Sequence, residues 1–285
     1  MARKPWMFIG DNIAGIALEM RPGVTIDCES RPDEKTWRYT PCERFREVLS
    51  ERSLYFTRLS TYLKEDGDNF EGASPALVPD AMEKYWAKHD LLEEYRAEEA
   101  KYGPLKLQTV LVNCWHKREY EADGMWARYG RQEPAIAVVS CLERLIDSMP
   151  EHVTVGHVEY VDFATEPFFH AGIFARAFMK RRLFEDEREV RAVLQDDDLI
   201  RTGWGVEVGS NGFLVPVKID RHPAFIALLI GTSSNGFLVP VKIDRLIESV
   251  VVGSLDLMEP VMKELAAAGL TVPVRLSERI GRPRY

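Results

Sequence analysis

The sequence predicts an α+β fold: a mixed, mostly antiparallel central sheet with flanking helices. Two observations carry this. Short β-rich runs and helix-periodic runs alternate irregularly along the chain, not as a strict βαβ repeat. Of the 285 residues 46% are hydrophobic, enough for a sizeable core in one large domain or two smaller ones.

Residues 1–35 carry the breakers Pro22-Gly23 and Pro32-Asp33 and form an N-terminal lead-in. Residues 36–285 are one α+β domain, with a helical insertion at about 77–103 and a duplicated strand segment at 210–245. Trp37–Tyr39 opens the regular part. Cys42–Ser50 is a short helix with Phe45, Val48 and Leu49 on one side. Leu54–Thr57 is a strand, and the polar, glycine-containing residues 60–76 are a loop. Asp80–Tyr102, rich in Ala, Glu, Lys and Leu, is the strongest helical stretch, ended by Gly103-Pro104. Thr109–Cys114 is a strand, Asp123–Tyr129 a short helix and Ala135–Ser140 a strand. Leu142, Leu145, Ile146 and Met149 mark an amphipathic helix closed by Pro150. Val153–Tyr160 is a strand and Phe168–Arg182 a helix, with Lys180-Arg181-Arg182 as its end facing water. An acidic strand follows at Arg188–Leu194. A helix near Asp256–Ala268 has Ser254 as N-cap and Gly269 as C-cap, and Leu270–Leu276 is the last strand.

Charge and cysteine usage exclude some classes. Lys and Arg number 37 against 45 Asp and Glu, a net charge of −8, so broad nucleic-acid binding is disfavoured. Cys28, Cys42, Cys114 and Cys141 show no C-x-x-C spacing and read as free thiols of a reducing, cytoplasmic protein. No apolar run approaches the roughly 18 residues of a membrane helix, and Asp11 and Glu19 spoil the N-terminus as a signal peptide. No P-loop, G-x-G-x-x-G or G-x-S-x-G is present.

Ser210–Arg221 reads SNGFLVPVKIDR, and Ser234–Arg245 is identical. A solenoid needs three or more repeats, so two identical copies indicate a recent local duplication or an assembly artefact. Both would compete for one sheet slot, and Pro216 and Pro240 favour an edge or a bulge. The second copy is better placed, because it runs on into Val250-Val251-Val252.

The most informative stretch is Phe184–Arg191. On a strand, Glu187, Glu189 and Arg191 share one face while Val190, Ala192 and Leu194 share the other. Two carboxylates and a guanidinium on one strand face are costly unless solvated, ion-paired or functional. A surface ion-pair strand and a catalytic carboxylate pair are the two readings.

Several motifs stand in a fixed order. They are Trp37-Arg38-Tyr39, LYFTR at Leu54–Arg58, DNFEG at Asp68–Gly72, Cys114-Trp115-His116, Glu121, and MWARY at Met125–Tyr129. F-x-x-E-x-E-x-R at Phe184–Arg191, VPVKIDRLIESVVV and a terminal P-V-x-x-S follow. Together they resemble the bacterial domain-of-unknown-function family 2971, from about Trp37 to the C-terminus. The chain departs from it at Asp68-Asn69, at Ala122 and in the duplicated block. More remotely, the order resembles the ADP-ribosyltransferase architecture.

That second resemblance implies an enzyme with NAD as substrate and an unknown macromolecular or small-molecule acceptor; no metal is expected, because the spacing of His116, Glu121, Glu187 and Glu189 matches no recognised ligand motif. Cleavage of the nicotinamide–ribose bond passes through an oxocarbenium-like state, which a fixed carboxylate stabilises. Glu189 would be the charge stabiliser and Glu187 the base or target-orienting group, although chain order does not fix which does which. Arg38 would hold pyrophosphate. Tyr55, Arg58, Glu71, Trp115, His116, Trp126, Tyr129 and Arg191 complete the candidate ligand-binding set. Each has a structural counterpart. Trp115 and Trp126 suit a core, and Tyr129 stays open between core and ligand. His116 suits a satisfied surface position, Glu71 a cap or turn, and Arg38 an ion pair with Glu187 or Glu189. The alternatives to the enzyme are a non-catalytic interaction or regulatory protein with a Glu/Arg ion-pair network, and a nucleic-acid-processing enzyme.

Overall fold

The computed structural model describes residues 31–62, 68, 70–73, 77–129, 134–165, 176–195, 206–208, 214–216 and 235–280. The strands are β1 (Lys35–Pro41), β2 (Ser53–Arg58), β3 (Val110–Lys117), β4 (Ala135–Cys141), β5 (Thr154–His157), β6 (Glu159–Val161) and β7 (Met179–Arg181). They continue as β8 (Glu189–Gln195), β9 (Val206–Val208), β10 (Leu214–Pro216), β11 (Gly236–Pro240), β12 (Ser249–Val252) and β13 (Val274–Leu276). The helices are α1 (Cys42–Glu51), α2 (Leu77–Lys88), α3 (Leu92–Thr109), α4 (Asp123–Tyr129), α5 (Leu142–Ser148), α6 (Ile243–Leu246) and α7 (Met258–Ala267).

The architecture is α+β with a mixed, mostly antiparallel sheet. Its main path runs β11-β2-β3-β1-β4-β12-β13, with β8 and β5 branching from β3. Only the β12–β13 pair in this sheet is parallel. Strand β3 is the branch point. One edge pairs with β8 over its length, from Val110↔Gln195 to His116↔Glu189. The other edge is shared: β2 takes Leu111 and Val112, while β1 takes His116 and Lys117.

The period of two separates the faces. One face is mainly apolar, with Asn113 and Ser140 as buried polar side chains on it. Leu54 and Phe56 of β2, Leu111 and Trp115 of β3, Ile136 and Val138 of β4 and Val190, Ala192 and Leu194 of β8 meet Phe45, Leu145 and Val261 of the flanking helices. The other face carries two smaller apolar clusters. Trp37, Tyr39, Ala137 and Val139 pack under Trp126 of α4, and Val110, Val112 and Val193 pack with Leu59 and Phe178. Cys114, His116, Glu189 and Arg191 occupy the ground between them.

Several elements differ from the sequence expectation. The Asp80–Tyr102 helix is two helices, α2 and α3. Asp90 turns left-handed at φ 57° between them, a conformation Asp tolerates better than most residues. Helix α3 runs through Gly103-Pro104, and Lys106 bridges back to Glu98 (2.9 Å) and Glu99 (2.6 Å), tying together the turns on either side. The Val153–Tyr160 strand is split, because β6 leaves the main sheet to pair in parallel with β7. Of the expected Phe168–Arg182 helix, 168–175 lie outside the described residues, while Met179–Arg181 is the strand β7. The acidic strand begins one residue late. Residues 182–187 form a 3-10 turn and Arg188 is left-handed at φ 46°. Ser254 precedes a 3-10 turn at Leu255–Leu257 rather than capping α7. Gly269, at φ +77°, ends α7 as expected. The last strand is confined to Val274–Leu276. Most of the lead-in lies outside the described residues, as does the first repeat apart from β10. The second repeat supplies β11, an edge strand of the main sheet, whereas β10 pairs with β9 in a separate two-stranded ribbon.

Candidate functional site

The charges of the second face close on one another. Arg191 of β8 makes a two-pronged pair with Glu71, Nη1 to Oε2 at 2.9 Å and Nη2 to Oε1 at 2.8 Å. Its Nε donates to Glu189 Oε2 at 2.7 Å, and Nη1 also donates to the Ala177 carbonyl at 2.7 Å. Lys180 of β7 donates to Glu187 Oε2 at 2.6 Å and Glu189 Oε1 at 3.1 Å, with Glu71 Oε1 at 3.5 Å. Arg128 of α4 reaches Glu187 Oε1 at 2.8 Å. Three carboxylates thus face three cations. All but Arg128 are buried.

Local backbone geometry delivers these groups. Glu189 and Arg191 alternate correctly on β8 and share a face. Glu187 does not belong to that strand: it arrives from the 3-10 turn, redirected by the left-handed Arg188. Glu71 sits in a turn where Phe70 N donates to Asp68 Oδ1 and Glu71 N to the Asp68 carbonyl. Arg181, beside Lys180, pairs with Asp68 at 2.6 Å and stacks on Phe70, clamping that turn over β8. The expectation of Lys180 and Arg181 as a water-facing helix end is therefore corrected. Alternation on β7 sends Lys180 into the buried network and Arg181 to the Asp68 turn, where it stays partly exposed.

Burial opposes charge on Glu189, but Arg191 and Lys180 outweigh it and hold the carboxyl well below the usual carboxylate range. Burial likewise opposes charge on Lys180 and Arg191, and the surrounding carboxylates hold both above their ordinary values. Burial pushes the Cys114 thiol up to about 11, which leaves it unreactive. His116 is held below its ordinary value by burial, and its Nδ1 lies 3.0 Å from the Glu187 carbonyl.

The structure places the remaining candidates unevenly. Arg38 is half-buried and does not pair with Glu187 or Glu189. Its Nη1 donates to the Cys114 carbonyl at 2.7 Å, at the gap where β1 and β2 share one edge of β3. Tyr129 is 36% exposed, and burial raises its hydroxyl, with the Glu189 charge adding to the rise and Arg38 opposing it. Trp115 is core, its Nε1 donating to Asn113 Oδ1 at 2.8 Å. Trp126 is core too, its Nε1 donating to Glu121 Oε2 at 3.0 Å. His116 is buried, not a surface residue. Tyr55 and Arg58 lie outside the network. Tyr55 faces out beside Gly236, and Arg58 is tied to the Gln108 carbonyl and the Phe237 ring.

Sequence reasoning missed Lys180, Arg128 and Tyr160, whose hydroxyl accepts the Glu189 N–H at 2.7 Å. Glu121 stands apart. It receives Arg275 Nη1 and Ser277 Oγ, both at 2.5 Å, and anchors the C-terminal strand. Among the described residues no group of three or more His, Cys, Asp or Glu side chains could hold a metal ion. Nor is any described helix long and apolar enough to cross a membrane. No protein-family model, no curated protein and no solved structure matches the chain.

Proposed function

We propose that this is a non-catalytic interaction or regulatory protein, and that its Glu/Arg set is structural. The observation that carries the reading is the closure of the network. Glu187 and Glu189 are 4% and 6% exposed, and their oxygens are engaged by Lys180, Arg128 and Arg191. A carboxylate that must meet ribose or take a proton needs a free oxygen in reach of substrate. The network instead fastens the Asp68–Ala73 turn and the β6–β7 ribbon onto β8.

One observation favours an ADP-ribosyltransferase-like enzyme on NAD as the second reading. Arg38 and Tyr129 stay partly exposed beside Glu189, and Arg38 spends one donor on a carbonyl rather than on a carboxylate. The two readings separate in one assay: nicotinamide release from NAD by the full-length protein, wild type beside Glu189→Gln, with cell extract as a source of acceptors. The structural reading expects no release from either and an earlier unfolding transition in the variant. Release by wild type that disappears in a folded Glu189→Gln protein would replace it with the second.

A further inference from the structure

The slot beside β2 is filled by the second of two identical twelve-residue segments. Gly236 through Pro240 pair with Thr57 through Ser53, and Arg58 N donates to the Asn235 carbonyl at 2.7 Å. Val241 N donates to the Arg52 carbonyl at 2.9 Å, and Lys242 N to the Ser148 carbonyl at 3.0 Å. Val239 and Ile243 are buried at 2% and 0% exposure, and Asp244 lies 3.4 Å from Arg52. The position opposite Thr57 must be glycine, because a Cβ on Gly236 would lie 1.9 Å from the Phe56 carbonyl oxygen. The first segment owns each of these residues in the same order, including Gly212. The slot therefore cannot tell the two apart by side chain.

We propose that the slot has two occupants, and that Ser210–Arg221 exchanges with Ser234–Arg245 of the same chain. Reach permits it. Gln195 ends β8 opposite Val110, and Asn235 lies at Arg58, opposite Leu111. These points are three strand positions apart, about 14 Å at the usual spacing. Residues 196–209 precede the first copy, and such a stretch extends to roughly 45 Å. On exchange, residues 222–245 become the connection between Arg221 and Leu246.

The two states are not equal. Exchange closes two loops where the resident arrangement closes one. Leu246, 1% exposed with its carbonyl receiving Ser140 Oγ at 2.6 Å, follows the second copy directly. The second copy is the major occupant and the first the minor one. Of the first copy, the described residues Leu214–Pro216 pair with Val206–Val208 in a two-stranded ribbon, and a lone two-stranded ribbon is marginal in water.

The test is competitive cross-linking in the full-length protein. Tyr55 and Leu238 are opposite one another and exposed, so the triple variant Tyr55→Cys/Leu214→Cys/Leu238→Cys offers position 55 a choice. Mild oxidation and peptide mapping, on a mixture of isotopically labelled and unlabelled chains, identify the bridge and whether it lies within one chain. The 55–238 bridge should dominate, with a minor 55–214 bridge in the same chain. Adding Gly236→Val bars the second copy and should invert that ratio while the protein stays folded, whereas Gly212→Val with Gly236→Val should lose the slot. The proposal is overturned by any of three results. These are a Gly236→Val protein without the 55–214 bridge, one with that bridge only between chains, and one that unfolds although Gly212 is intact.

Discussion

The two faces of the main sheet are built from the same strands by opposite means. The apolar face is held mainly by contacts without direction: Phe45, Leu145, Phe56, Val190 and their neighbours need only fill space. The other face interrupts its apolar clusters with a network in which each donor is aimed at a particular oxygen. A hydrophobic layer degrades gradually when a methyl group is lost. A matched set of buried charges does not, since removing one member leaves its partner charged and dry. This difference also bears on function. The network holds β7 and the Glu71 turn against β8, so its charges are already engaged before any ligand arrives.

That contrast can be broken deliberately. Arg191→Leu, which leaves Glu71 and Glu189 with Lys180 as their remaining cation, should cost about 3–5 kcal/mol in denaturant unfolding. Removing Glu71 together with Arg191 should cost clearly less than the sum of the single variants, because each single change includes the penalty of an abandoned partner. On the apolar face, Leu145→Ala should cost about 2–5 kcal/mol and add with distant core changes to within about 0.5 kcal/mol.

Titration sharpens the comparison next. The Glu189 pKa is depressed in the fold, so its contribution is present above the unfolded value near 4.3 and is lost as pH falls below it. The His116 pKa is also depressed, and the unfolded chain binds the extra proton, so stability should already decline below about pH 6.5. The Lys180 pKa is raised, so its contribution is complete below about pH 10.4 and fades as pH rises above that. Unfolding measured from pH 3 to 11 should therefore show a broad plateau between these limits, and Glu189→Gln should flatten the acid limb.

Glu121→Gln should loosen the C-terminal strand for about 1.5–3 kcal/mol, the scale of hydrogen bonds to a charged group, with hydrogen exchange rising first at Val274–Leu276. The exposed pair Lys263–Glu259, at 2.6 Å with both side chains about three-quarters in water, should make no measurable difference when Lys263 becomes Ala.

How far each feature could be read from the sequence depended on how local its cause was. The α+β class and the split of β8 into a core side and a charged side follow from a period of two. Glu187 was misplaced because one left-handed residue, Arg188, resets the alternation, and nothing in that residue's identity announces it. Lys180 reads as solvent-facing in the sequence because one of its partners, Glu71, lies 109 residues earlier in the chain and comes close only through the fold. The role of Arg38 depends on a gap between β1 and β2 that exists only once both share β3. Glu121 was visible as a motif residue, but its partners Arg275 and Ser277 arrive from the far end of the chain.

The strand order has a consequence for synthesis. The middle of the sheet, β2-β3-β1-β4, is drawn from residues 35–141, whereas both flanks of the main path, β11 on one side and β12-β13 on the other, come from residues 236–276. A chain emerging from the ribosome at about 5–20 residues per second thus displays the sheet's interior for several seconds before the segments that finish it exist. Throughout that interval both margins offer unpaired backbone, and the nascent protein depends on its early helices, or on a chaperone, to stay out of the reach of its neighbours.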